Sequence, residues 1–251
     1  MQSFRLAIFC KKVYGKYKLK EGLFLLSVNI SKSITQYCQN VVLGLLQCRV
    51  SVYTKDADFA ALFQNKIAEL AETELSQANK RDTIQSTRKA YKALKKDPNR
   101  YRCSAEAMCR RIAKERGLYD INNVVDITNF LSIASGYSMG TYDVAKITGD
   151  IVWKRAEEGT AYQGIGKDVL HIAFLPVLFD DLGAFGNPTS DSLRTMVTED
   201  TKEILMVFYC FDGGEKLDMW LQQAEILLQN HAKATDFETK ILLPEKRKAL
   251  F

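Results

Sequence analysis

Residues 121–143 read INNVVDITNFLSIASGYSMGTYD. Val124, Val125 and Ile127 form an apolar, strand-like start, yet Val124, Ile127, Leu131 and Ala134 recur at helical spacing. The segment therefore reads as extended at its beginning and helical beyond it. Asp126 and Asn129 lie in this apolar setting, where a polar group is costly unless it is hydrogen-bonded. They read as organisers of the adjoining loop or as groups facing a pocket. Gly136 and Gly140 read as turns, and the second leads directly into Tyr142-Asp143.

Helical patterns precede this stretch. Asp58 to Gln77 carries Phe59, Leu62, Phe63, Ile67, Leu70 and Leu75 at helical spacing, with Asp56 or Asp58 as N-cap. Thr83 to Lys95 is a shorter basic helix that Pro98 ends, and Ser104 to Arg116 is another, stopped at Gly117. Cys48 to Thr54 alternates and reads as a strand. Beyond Gly140 short strands are expected at Ile151 to Arg155, Val169 to Phe174, Val177 to Asp180 and Ile204 to Phe211. Turns separate them at Glu158-Gly159, Gly164 to Gly166, Gly183 to Pro188 and Asp212 to Gly214. The run ILMVFYCF is continuously apolar, as a strand buried on both faces should be. Lys216 to Lys233 reads as a last amphipathic helix. Helices first and strands later, without βαβ alternation, argue for an α+β fold with one core.

The 251 residues suffice for one large domain or two small ones. No apolar run approaches the roughly 20 residues needed to cross a bilayer, and the N-terminal order of apolar patch then Lys11-Lys12 is wrong for a signal peptide. The six cysteines contain no C-x-x-C pair and the two histidines, His171 and His231, are far apart, so zinc spacing is absent. Scattered single cysteines fit reduced thiols and a cytoplasmic location. The net charge of +5 is unevenly spread. Residues 1–35 hold seven Lys/Arg against one acid, and residues 79–116 hold thirteen against four. Residues 117–251 hold twelve against twenty. The basic 79–116 stretch fits a polyanion partner such as nucleic acid, or a plain solvated helix face.

Ile121 to Phe130 is nearly identical to I-N-N-V-V-D-I-T-N-Y, and Gly136 to Asp143 corresponds to G-Q-P-L-H-A-F-D. Both motifs belong to the tRNA-binding and editing domain of the bacterial phenylalanyl-tRNA synthetase beta subunit, which this chain resembles. Lys146 to Glu158 with Gly159 resembles the family's next strand, Leu182 to Asn187 (LGAFGN) its glycine loop G-G-I-F-G-G, and Thr201 to Tyr209 its threonine and buried strand. The resemblance runs over about residues 110–212. It implies an α+β, three-layer domain with an unusual β-sandwich core flanked by helices. The expected layout is a basic N-terminal extension over 1–34, a single domain over 35–233 and a tail over 234–251. In the family this domain binds the 3′ end of misacylated tRNA and hydrolyses a noncognate ester, tyrosine in place of phenylalanine. Ligation is not expected, since the rest of the synthetase is not present in the chain.

The departures bear on chemistry. The family's histidine falls on Gly140 and its glutamate on Val207, and residues 188–200 are longer than the family's turn. The resemblance thus implies a freestanding editing-like domain that deacylates tRNA in trans, or an RNA- or small-molecule-binding module on the same fold. The pocket candidates are Asn129, Gly140, Tyr142, Asp143, Gly183, Phe185, Gly186, Asn187, Ser190, Asp191, Arg194 and Thr201. Gly183 and Gly186 suit either a pocket lining or a tight turn, Arg194 either bidentate anion binding or a surface loop, and Asp143 either a cap or a substrate contact. The RNA-binding candidates are Arg88, Lys89, Lys92, Lys95, Lys96, Arg110, Arg111 and Lys114. No catalytic residue, metal or cofactor is assigned. The expected partner is tRNA or the aminoacyl-tRNA 3′ end, without membrane.

Overall fold

The strand that organises the molecule is β9 (Glu203–Cys210), of which every residue but Glu203 is buried. Its alternate side chains serve two cores. Ile204, Met206, Phe208 and Cys210 face a helical layer, and Leu205, Val207 and Tyr209 face a second sheet. The structure, a computed structural model, describes residues 26–72, 77 and 79–245. In chain order its strands are β1 (Val28–Ile30), β2 (Val42–Arg49), β3 (Ser138–Asp143), β4 (Ile151–Arg155), β5 (Ala161–Gln163), β6 (Val169–His171), β7 (Pro176–Asp180), β8 (Gly183–Gly186), β9 and β10 (Thr235–Leu242). Its helices are α1 (Lys32–Thr35), α2 (Ala57–Ala71), α3 (Asp82–Ala93), α4 (Ser104–Ile112), α5 (Asn123–Ser135) and α6 (Leu217–His231).

One four-stranded sheet is antiparallel in the order β10-β2-β9-β3, a second runs β1-β4-β7-β8 with β1 and β4 parallel, and β5 and β6 pair as a separate two-stranded sheet. Between the two four-stranded sheets lie Leu43, Leu45, Tyr142, Ile151, Trp153, Leu178, Phe185, Leu205, Val207 and Tyr209. On the far face of the first sheet, Phe59 and Phe63 of α2, Ile127 and Leu131 of α5, and Leu221 and Leu228 of α6 close a second core. The result is the α+β, three-layer architecture: helices, sheet, sheet. Strands covered on both faces explain why β2 and β9 are apolar runs rather than alternations.

The opening stretch is helix from its start. Asn122 is the N-cap of α5, its side chain accepting from the Val125 N–H at 2.9 Å, and Gly136 ends the helix at φ +79°. Left-handed φ there favours glycine, and a Cβ would strike the Thr83 hydroxyl. Arg81 donates to the carbonyls of Ile133 and Ala134, closing the helix end that would otherwise be unpaired. Asn123 is 1% exposed and ties α5 to its surroundings. Its Oδ1 accepts from the Tyr53 N–H and its Nδ2 donates to the carbonyls of Ser51 and His231.

Five expectations are corrected. The strand expected at Cys48 to Thr54 is β2, Val42–Arg49; its earlier residues do not alternate because both faces are buried. Gly140 does not turn the chain but lies inside β3, paired with Val207 of β9. Gly183 to Gly186 is strand β8, paired with β7, not a turn. The tail from 234 contributes β10, an edge strand on β2, and Val28–Ile30 of the expected N-terminal extension pairs with β4. Both are short or half-exposed edge strands with little apolar signal. The basic residues 5–20 of the extension lie outside the described residues.

Replacing Asn122 by Ala removes a cap and is expected to cost about 0.5–2 kcal/mol. Asn123→Ala leaves the Tyr53 N–H and the Ser51 carbonyl without their partner and is expected to cost about 2–4 kcal/mol. Urea unfolding of the two variants checks this order, and an Asn122→Ala cost exceeding that of Asn123→Ala would contradict it.

Candidate functional site

The sandwich face of β3, β8 and β9 holds a cluster of tyrosines around one carboxylate. Tyr142 lies across Gly140 and Gly186 so closely that a Cβ at either glycine would collide with its hydroxyl. Both glycines are therefore needed for the approach of a side chain, not for a turn. The Tyr142 hydroxyl donates to Asp191 Oδ1 at 2.7 Å and lies 2.5 Å from the Tyr209 hydroxyl. With the Tyr142 proton directed at Asp191, the Tyr209 hydroxyl must donate to Tyr142, giving a chain from Tyr209 through Tyr142 to the carboxylate. Phe185 packs edge-on against Tyr142, with ring centroids 5.0 Å apart.

The loop after β8 completes the cluster. Asn187 Oδ1 accepts from the N–H groups of Thr189 and Ser190, folding the loop back on itself. Its own N–H donates to Asp191 at 3.2 Å and its Nδ2 donates to the Tyr162 hydroxyl, which in turn donates to the Ser190 carbonyl. Tyr91 of α3 reaches Thr189 Oγ1 at 2.8 Å. Burial pushes the Asp191 carboxyl up to about 7, against the hydrogen bonds from Tyr142 and Asn187 and the Lys167 cation, which lower it. Burial also holds Tyr142 and Tyr209 well above the usual phenol range, so both stay neutral donors. A carboxyl poised near neutrality can hold or release a proton at working pH.

The other pocket candidates lie elsewhere. Asp143 accepts from the Thr201 hydroxyl at 2.8 Å and from the Ala145 N–H, while Lys146 pairs with it at 3.3 Å. Asp143 and Thr201 are thus a brace at the end of β3, and Thr201 is 1% exposed. Arg194 holds Asp180 bidentately at 2.8 and 3.0 Å and donates to the carbonyls of Lys146 and Gly183. Its donors serve the fold rather than a free anion. Asn129 lies on α5, across the sheet from Tyr142. Gly183 and Arg194, with Tyr162, Ser192 and the exposed Leu182 and Leu193, line an open groove of about 600 Å³ beside the cluster. Ser190 accepts from the Lys167 ammonium at 3.2 Å. Among the described residues, no group of three or more His, Cys, Asp or Glu side chains is arranged to hold a metal ion.

The RNA candidates divide likewise. Lys96 is buried, donating to the Ala173 carbonyl at 2.6 Å with its ammonium 3.7 Å from the Tyr101 ring centre. Arg88 is spent on the buried Glu106 at 2.8 and 3.0 Å, joining α3 to α4. Lys89, Lys92 and Lys95 are exposed on and just after α3, and Arg110, Arg111 and Lys114 stand on and just after α4. Tyr91, Tyr162 and Tyr209 were not foreseen as members of the cluster. One signal was present, since Tyr209 is the residue of ILMVFYCF that brings a hydroxyl needing a partner into a continuous apolar run.

A family model described as the B3/4 domain matches residues 86–219. The phenylalanine–tRNA ligase beta subunit of Vibrio vulnificus (strain YJ016) is 36% identical over 97 residues, which are 36% of this chain and 12% of that protein. That of Aquifex aeolicus (strain VF5) is 30% identical over 97 residues, again 36% and 12%. The chain therefore spans about an eighth of the length of these relatives. The crystal structure of an N-terminal fragment of the phenylalanyl-tRNA synthetase beta-subunit from Pyrococcus horikoshii aligns with a TM-score of 0.45 and 15% identity, covering 90% of this chain and 52% of that one.

The cluster gives a pH signature with a definite sign. The folded-state pKa of Asp191, about 7, lies above the unfolded value of about 3.9. Between these values the folded protein keeps a proton that the unfolded chain has lost, so this group's contribution to stability falls as pH rises from about 4 to 7. Asp191→Asn removes that slope. Urea unfolding at pH 5 and pH 8 is expected to show the variant gaining on the wild type at the higher pH. An offset that is constant with pH would contradict it.

Proposed function

The chain belongs to the B3/4 domain family, and from that premise we propose that it binds the aminoacylated 3′ end of tRNA without the removal of tyrosine that the resemblance implies. The observation that carries this reading is the Tyr142 hydroxyl set between Gly140 and Gly186. By the resemblance, the family's histidine and glutamate fall on Gly140 and Val207, which are cross-strand partners here. Neither side chain can supply or accept a proton. The space over Gly140 is taken by Tyr142, whose hydroxyl is spent on Tyr209 and Asp191. Thr201 is enclosed by its brace to Asp143. The open volume nearby is the groove edged by Gly183 and Tyr162, which suits a flat or extended ligand. Arg110 and Lys114, on and just after α4, are cations available to the tRNA backbone. Buried, unpaired Cys38, Cys48, Cys103, Cys109 and Cys210 suit a reducing cytoplasm.

One observation favours a second reading, deacylation in trans. Burial pushes the Asp191 carboxyl up to about 7, one residue from the groove-lining Ser192, and a carboxylate of that basicity can act as a general base towards water.

Incubation with a panel of mischarged tRNAs separates the two. The binding reading predicts saturable, salt-sensitive tRNA binding with no ester loss above the buffer rate for any pair. Absence of tRNA binding at low salt would overturn it. Deacylation that rises through pH of about 7 and falls at least tenfold in Asp191→Asn would replace it with the second reading.

A further inference from the structure

A cleft of about 290 Å³ opens along α4 and the turn that follows it, lined by Arg102, Ala107, Arg110, Arg111, Lys114 and Arg116. Five of its six lining residues are cations and none is acidic. Among the described residues Arg110, Lys114 and Arg116 make no ion pair, and Arg102 has only a 3.9 Å contact to Glu106, whose charge Arg88 already holds at 2.8 Å. Glu106, buried and held by Arg88, and Glu115 and Asp120, which follow α4, do not line the cleft. Cations held side by side without counter-charges repel each other, and a polyanion relieves that repulsion.

An aromatic platform stands beside the cleft. Tyr119 is 66% exposed, and the Arg111 guanidinium lies 4.4 Å from its ring centre. Arg111 is itself aimed by a hydrogen bond from its Nε to the Gly117 carbonyl at 2.9 Å, and Gly117 takes the left-handed φ of +58° that turns the chain from the cleft towards Tyr119. A large aromatic ring left in water next to a row of unpaired cations is the pairing that single-stranded nucleic acids use, with phosphates on the cations and a base on the ring. An acidic peptide would satisfy the cations alone and give the ring no role.

We propose that this cleft is a binding site for single-stranded RNA, with backbone phosphates on Arg110, Lys114 and Arg116 and a base stacked on Tyr119. It deepens the tRNA reading and rests on it for the identity of the polyanion, and it moves the main RNA contact from the α3 lysines to α4. Arg102 and Arg116 are added to the cations read from the sequence, and Lys96 and Arg88 are withdrawn.

The test is fluorescence anisotropy with a labelled, unstructured RNA of about 12 nucleotides, within the usual single-strand site sizes, over a salt titration. The triple variant Arg110→Gln/Lys114→Gln/Arg116→Gln is expected to bind at least tenfold more weakly and to flatten the log–log salt slope by roughly 2, about 0.7 for each lost phosphate contact. Tyr119→Ala is expected to weaken binding roughly tenfold with the salt slope unchanged, and Tyr119→Phe to restore it. Lys89→Gln/Lys92→Gln is expected to stay within about twofold of the wild type. No binding by the wild-type protein, an unchanged triple variant, an unchanged Tyr119→Ala, or a loss as large on α3 would each overturn the proposal. These are surface residues, and thermal unfolding of each variant confirms that a loss is not misfolding. The RNA carries no aminoacyl ester, so an inert editing pocket leaves this result intact, and a failed cleft leaves deacylation of mischarged tRNA to be judged separately.

Discussion

Burial of β9 on both faces is the constraint from which the rest of the fold follows. A strand with Ile204, Met206 and Phe208 on one side and Leu205, Val207 and Tyr209 on the other cannot be an edge or a surface strand. It needs a layer of helices over one face and a second sheet over the other, with β2 and β3 as its ladder partners. At about 25 cal/mol per Å² of apolar surface removed from water, each fully buried Leu, Ile or Phe contributes on the order of 2 kcal/mol. The layer order is then fixed by where those side chains point.

A polar cluster sits in the sandwich core, and it shapes the candidate site. A phenol placed in an apolar layer must find a partner. Tyr209 finds Tyr142, Tyr142 finds Asp191, and Asp191 receives the Asn187 N–H from the loop after β8. Gly140 and Gly186 are the clearance that lets Tyr142 reach this position. The same arrangement that satisfies the buried hydroxyls also closes the space where the family resemblance places acid–base groups. On the outer surface the charges follow a different logic: the basic residues on and around α3 and α4 separate into those held by the fold, Arg81, Arg88 and Lys96 among them, and those left facing water.

Much of this was legible in the sequence. The helices α2 to α6 followed from apolar spacing and caps, and the buried strands β4, β7 and β9 from short apolar runs. The family followed from INNVVDITNF. Glycines misled, because Gly140 and Gly183 read as turns when one serves a close contact inside β3 and the other begins β8. Composition cannot distinguish a glycine needed for φ from one needed for space. The edge strands β1 and β10 escaped because half-exposed, charged residues such as those of TDFETKIL carry no apolar pattern. The candidate residues do not gather in one place: Tyr142, Asn187 and Asp191 meet in the tyrosine cluster, while Asp143 and Thr201 brace the end of β3 and Arg194 holds Asp180. Asp191, Asn187 and Tyr142 were named, whereas Tyr162 and Tyr91 approach from elements distant in sequence. Arg194 looked available because its partner Asp180 stands across a turn that sequence does not place.

The Tyr142 side chain occupies the space over Gly140. A double-mutant cycle on folding stability tests it directly, using Gly140→Ala measured in the wild-type protein and in the Tyr142→Leu background. The account predicts that Gly140→Ala is severely destabilising in the wild type and costs less once the tyrosine is removed, with a coupling of about 1 kcal/mol or more. An equal cost in the two backgrounds would contradict it.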